Sequence, residues 1–203
     1  MPPSIQDILI AKTLAELDTP RKQQTSRIWT NPEGYQLLGA WQNSTLLRVL
    51  IRVFTKGLPR SEYRLKAQLD DAARSVKRNI EEGWKRPTTK EYLTFLGYSQ
   101  ASLEEVKGDI RDAKTDGFLP SRPLSTLKDT LDLDLRVTKG LEIKGEPTDP
   151  SHPYYLPLTT LKSSTLTSEV FMELINKTDW LLQKLVESLE FKQKSAKEKL
   201  YYS

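Results

Sequence analysis

The chain has 203 residues, of which 37% are hydrophobic and 29% charged, and a net charge of +4. That length suits one large domain or a domain with appendages. The low apolar share suits a thin helical bundle, with much surface per residue, better than a wide core. Cysteine is absent, which excludes disulfides and thiolate metal sites, and no run of about 18 apolar residues is present to span a membrane.

No cofactor is expected, and a cytoplasmic setting is the expectation, because the first residues lack the basic and apolar regions of a secretory signal. The net charge hides an asymmetry. Residues 40–90 hold 12 Lys/Arg against 5 Asp/Glu, whereas residues 91–150 hold 8 against 12. Local field rather than total charge attracts phosphates, so the first block is the informative one.

In chain order, residues 1–33 read as a short helix over 4–17, capped by Ser4, and a linker in which Trp29 should pack. Residues 34–117 read as three helices. The first spans about Tyr35 to Lys56, and its segment Leu46–Phe54 is apolar on nearly all sides. Only Arg48, Arg52 and Lys56 interrupt it, on one stripe, and such a helix is buried on two faces. A four-helix core uses one face, so the other suggests a subunit interface. A buried strand competes for the β-branched part.

The second helix, about 61–84, carries Leu65, Leu69, Ala72, Val76 and Ile80 at steps of three and four. The third, about 88–116, does the same with Tyr92, Leu96, Ser99, Leu103, Val106, Ile110 and Ala113. Between them, Gly83 and Pro87 stop one helix, and Thr88 with Glu91 offers a capping box for the next. So short a turn predicts antiparallel neighbours. Gly97 and Gly108 inside the third helix predict close helix contact, and Gly117 predicts its C-cap.

Residues 118–163 break the pattern, with six of the 12 prolines between 120 and 157. Leu131–Thr138 alternates strictly and Leu141–Lys144 alternates again across Lys139-Gly140, which predicts a small β-hairpin. Residues 164–203 read as the last helix, from Ser164 or Thr165 to about Lys192, with a polar tail that should fray. Val170, Leu174, Leu181, Leu185 and Leu189 form its stripe, broadened by Phe171, Ile175, Leu182 and Val186.

Catalytic groups are scarce. His152 is the one histidine, in a Pro-rich loop, and reads as an ordinary loop residue. Asp129, Asp132 and Asp134 suggest a magnesium cluster less well than the polar face of a strand. Asn79 with Glu82, and Ser102 with Glu105, each share a helical face, and an interhelical polar network is the favoured reading over a ligand site. The best candidates are basic: Arg48, Arg52 and Lys56 on the first helix, and Arg60, Arg64, Arg74, Lys77, Arg78, Lys85 and Arg86 on or beside the second, where Arg74, Lys77, Arg78 and Lys85 fall on the outer side, away from the Leu65–Ile80 stripe. Such residues neutralise phosphates, but interspersed Asp70, Asp71, Glu81 and Glu82 fit a solvated face equally well.

The run Gln68, Ala72, Ala73, Ser75, Asn79, Ile80, Glu82, Gly83, followed by Ala101, Ser102, Leu103 and Glu105, resembles the four helix bundle protein family. That family includes proteins encoded by 23S rRNA intervening sequences and the accessory variability determinant of diversity-generating retroelements. The resemblance covers about 34–117 well and the last helix loosely. It implies an all-α, up-down-up-down antiparallel four-helix bundle with the 118–163 segment inserted before the last helix. It also implies a ring-like homo-oligomer, a pentamer, and it tips the basic face toward binding. The leading expectation is a non-enzymatic accessory protein that holds RNA or DNA and docks a reverse transcriptase. The alternative is a structural or protein-interaction bundle with no nucleic-acid role.

Overall fold

The computed structural model describes residues 31–131 and 161–201, with side chains as far as residue 195. Four long helices and one short one carry the chain: α1 (Gly39–Lys56), α2 (Tyr63–Trp84), α3 (Thr89–Thr115), the short α4 (Leu127–Leu131) and α5 (Ser168–Tyr201). Among the described residues there is no strand. The expected helix over 4–17, Trp29, Asp132, Asp134 and His152 lie outside the described residues. So does the hairpin, apart from Leu131, which closes α4 as a helical residue.

α1 packs on α2 and α5, and α3 packs on the same two helices. Local chemistry sets the boundaries. α1 begins at Gly39 rather than Tyr35, because Leu38 is extended (φ −78°, ψ 123°) and residues 34–37 form a separate 3-10 turn. That turn stacks Tyr35 edge-on against Trp41, centroids 5.5 Å apart. α3 starts as the sequence predicts: Thr88 Oγ1 accepts from the Glu91 N–H at 3.2 Å, and the Glu91 carboxylate accepts from the Thr88 N–H at 3.2 Å. It ends in a Schellman motif: Phe118 N–H bonds the Ala113 carbonyl, Gly117 N–H bonds the Lys114 carbonyl, and Gly117 takes φ +80°.

α5 begins at Ser168, later than expected, because Leu166 is extended and buried Thr167 takes the capping place, with Oγ1 accepting from the Val170 N–H at 3.4 Å. Its helix continues through Tyr201, so the tail expected to fray is helical. Glu169 ties this start to the end of α3. It accepts from Ser121 Oγ and from the Arg122 N–H at 2.8 Å, and pairs with Lys114 at 3.4 Å.

The core is the meeting of the predicted stripes. On α3 all seven stripe residues are buried; on α2 Leu69, Ala72, Val76 and Ile80 are buried and Leu65 half-buried. α1 is buried almost all round, from Ala40 through Thr55, with Phe54 edge-on to Phe171 of α5 at 6.0 Å. Its second apolar face is therefore covered inside one chain by α2, α5 and the turn at Ser163–Thr165. That removes the argument from α1 for a subunit interface.

The glycines divide in an unexpected way. A Cβ at Gly83 would sit 2.7 Å from Phe95 Cβ and 2.8 Å from Tyr92 Cδ2, so this residue lets α2 and α3 close together. Gly97 and Gly108, expected to do that, face open space with nothing within 4 Å.

Candidate interaction site

Two bonds set the register of α1 against α2. Trp41 Nε1 donates to Glu81 Oε1 at 3.0 Å, and Thr55 Oγ1 donates to Asp70 Oδ1 at 2.9 Å. The start of α1 thus meets the end of α2, and its end meets α2's first half. Arg48 falls midway between Trp41 and Thr55, level with Arg74 and Lys77.

This register sorts the ten basic candidates. Arg48, Arg52, Arg74 and Arg78 come together along the outer edge of the α1–α2 seam. Arg52 Nε lies 3.9 Å from Asp70, Arg74 Nη2 3.5 Å from Asp71, and Arg78 Nη1 3.2 Å from Glu81. Arg48 is half-buried. Burial first, then the charges of Arg52, Arg78 and Arg74, hold its guanidinium below the ordinary arginine range.

Lys77 is a correction to the expected outer face. It is buried, with Nζ 2.6 Å from Glu81 Oε1 and 5.0 Å from the centroid of the Trp41 ring. It lies on the shoulder of α2 that α1 covers, so its long stem packs in the seam and its charge is spent on Glu81. Glu81 in turn accepts from Lys77, Arg78 and Trp41.

The other candidates lie at the two ends of α2. Lys56, Arg60 and Arg64 are exposed at one end, with Arg64 Nε donating to Tyr63 Oη at 3.2 Å. At the other end, Lys85 reaches Glu33 at 3.5 Å, and Arg86 stacks 4.4 Å above the Phe95 ring. The expected network of Asn79, Glu82, Ser102 and Glu105 does not form: no hydrogen bond joins these four among the described residues, and Glu82 and Glu105 are exposed. They flank the α2–α3 contact rather than fill it. A polar bond across that contact is Ser99 Oγ donating to the Val76 carbonyl at 2.8 Å.

The sequence reading passed over Trp41 and Asp109. The four-residue step from Lys77 to Glu81 was the available signal for the first, because it marks an ion pair that a neighbouring ring could cover. Asp109 is half-buried on α3 with Oδ2 unbonded among the described residues, and burial, then Glu105 and Asp112, push its carboxyl up. Its signal was the Glu105, Asp109, Asp112 spacing, which sets three acids on one face. No group of three His, Cys, Asp or Glu among the described residues is arranged to hold a metal. A hollow of about 200 Å³ lies at the end of the bundle between Phe54, Leu58, Phe118 and Pro120. No described helix is long and apolar enough to cross a membrane.

Comparison with known proteins places the chain beside a family. Residues 36–137, just over half the chain, match the 23S rRNA-intervening sequence protein family. No curated protein and no solved structure matches. The matched span contains α1, α2 and α3 entire, and with them both the arginine seam and the acidic face. The chain therefore belongs to the 23S rRNA-intervening sequence protein family.

Proposed function

We propose that the chain is a non-enzymatic interaction bundle, a rigid stack of helices whose outer seams dock another macromolecule. The observation that carries this reading is the sorting of charge by seam. Arg48, Arg52, Arg74 and Arg78 gather along α1–α2, whereas Glu105, Asp109 and Asp112 gather on α3. Opposite fields on separate faces steer and orient a partner. The family match supports a structural or protein-interaction role of the intervening-sequence type ahead of a retroelement accessory role. A reverse transcriptase, RNA or DNA, and further copies of the chain are narrower cases that the sequence resemblance implies.

The up-down-up-down order belongs to the same reading. Three contacts support it: Gly83 of α2 against Tyr92 and Phe95 of α3, Lys114 of α3 against Glu169 of α5, and Phe54 of α1 against Phe171 of α5.

Crosslinking in cells that make the protein, read by mass spectrometry, tests the docking role. Partner crosslinks should fall by about a hundredfold when Arg74 and Arg78 are both changed to Glu, since each change removes a charge-assisted contact worth about tenfold. Equal crosslinking by parent and variant would refute the α1–α2 seam as a docking surface.

A further inference from the structure

The four seam arginines are unequally provided for. Arg52, Arg74 and Arg78 each face a carboxylate of this chain, at 3.9, 3.5 and 3.2 Å. Arg48 has none within ion-pair distance among the described residues, and Glu81 attracts it only from farther off, although it is half-buried and sits amid the other three. A partly desolvated cation without a directly paired carboxylate is costly, and one incoming negative charge recovers that cost.

The surroundings decide which anion fits. A phosphodiester backbone carries a charge on every unit and would run along the seam. Passing Arg48, it would also meet Asp70 and the exposed Asp71, which oppose it. A carboxylate side chain brings a single charge and matches the guanidinium fork with two parallel bonds. Its neighbours are free to be neutral or cationic where they face Asp70 and Asp71. Resting on the docking reading above, we propose that Arg48 anchors one Asp or Glu side chain of a partner protein, carried on a segment whose flanking residues are neutral or basic.

Selection of a phage-displayed helical peptide library against the full chain, repeated against Arg48→Gln, tests this directly. Clones bound by the parent should carry one carboxylate with neutral or basic flanks, and should bind Arg48→Gln about tenfold less, the weight of one charge-assisted contact. A matched arm uses a duplex RNA over a salt series. Clones that bind both proteins equally, or a library that yields no Arg48-dependent clone, would overturn the proposal. So would RNA binding with a steep salt slope lost in Arg48→Gln, which would reassign the residue to phosphate. Thermal unfolding of Arg48→Gln should match or exceed the parent, because the change removes a repelled charge; a marked loss would make Arg48 structural and also overturn the proposal. If cell crosslinks still depend on Arg74 and Arg78 in that event, docking stands and only its carboxylate anchor falls.

Discussion

The two seams of α2 are built on opposite principles. Toward α3, small residues let the helices close: Gly83 of α2 seats the Tyr92 and Phe95 side chains, and the Ser99 hydroxyl of α3 bonds the Val76 carbonyl across the join. Toward α1, the contact is made by long side chains: Trp41, Lys77 and Glu81 meet there, with a buried Lys77–Glu81 ion pair beside the Trp41 ring. Helices that close on apolar rings in this way leave no room between them for charge. A seam propped open by long side chains buries one ion pair and carries arginines at its edge, three of them paired and Arg48 not. The difference explains why the arginines gather on one seam of α2 and not the other.

Breaking the charged seam should have the largest effect. Glu81→Ala leaves Lys77 buried without its partner and strips the Trp41 N–H of its acceptor, so denaturant unfolding should record a loss of about 3 kcal/mol. The double change Lys77→Met with Glu81→Leu should recover most of it, because an apolar pair of similar size avoids the unpaired charge. If the double variant is as unstable as the single one, the ion pair is not what props the seam.

The small-residue seam should break by overpacking instead. Gly83→Ala forces a methyl against Phe95 Cβ and Tyr92, atoms at or near the backbone that yield little, and should cost about 1–3 kcal/mol. The same substitution on the outer face of α3 should go the other way. Gly97→Ala and Gly108→Ala meet nothing within 4 Å, so each should raise stability by up to about 1 kcal/mol through helix propensity. A loss at either position would show that the face is covered in solution, for example by a partner.

The smallest effect concerns the clamp between α3 and α5, away from both seams. Burial opposes ionisation of Glu169, but its bonds from Ser121 and the Arg122 N–H hold its carboxyl down at about 2, against an ordinary 4.5. The folded value is the lower one, so the clamp contributes fully above pH 4.5, and its contribution is lost as pH falls toward 2. Acid titrations of parent and Glu169→Gln should therefore converge over that window. Parallel curves would mean that the carboxylate is not clamped.

The sequence by itself determined the helices, their core stripes and the capped turn between α2 and α3. Apolar spacing and the Thr88–Glu91 pair are local, and nothing distant competes with them. It also supplied the arginines, and the family resemblance that the match over 36–137 supports in its intervening-sequence branch. Only the tertiary structure decided which shoulder of α2 is covered. Lys77 and Arg78 are adjacent in sequence and look alike there, yet α1 covers one and leaves the other open. It also decided which glycine is a contact, since Gly83, Gly97 and Gly108 differ only in what lies opposite them. The apolar second face of α1 is covered by α5 for the same reason. Periodicity fixes which residues share a face of a helix, but which faces meet depends on how distant helices pack.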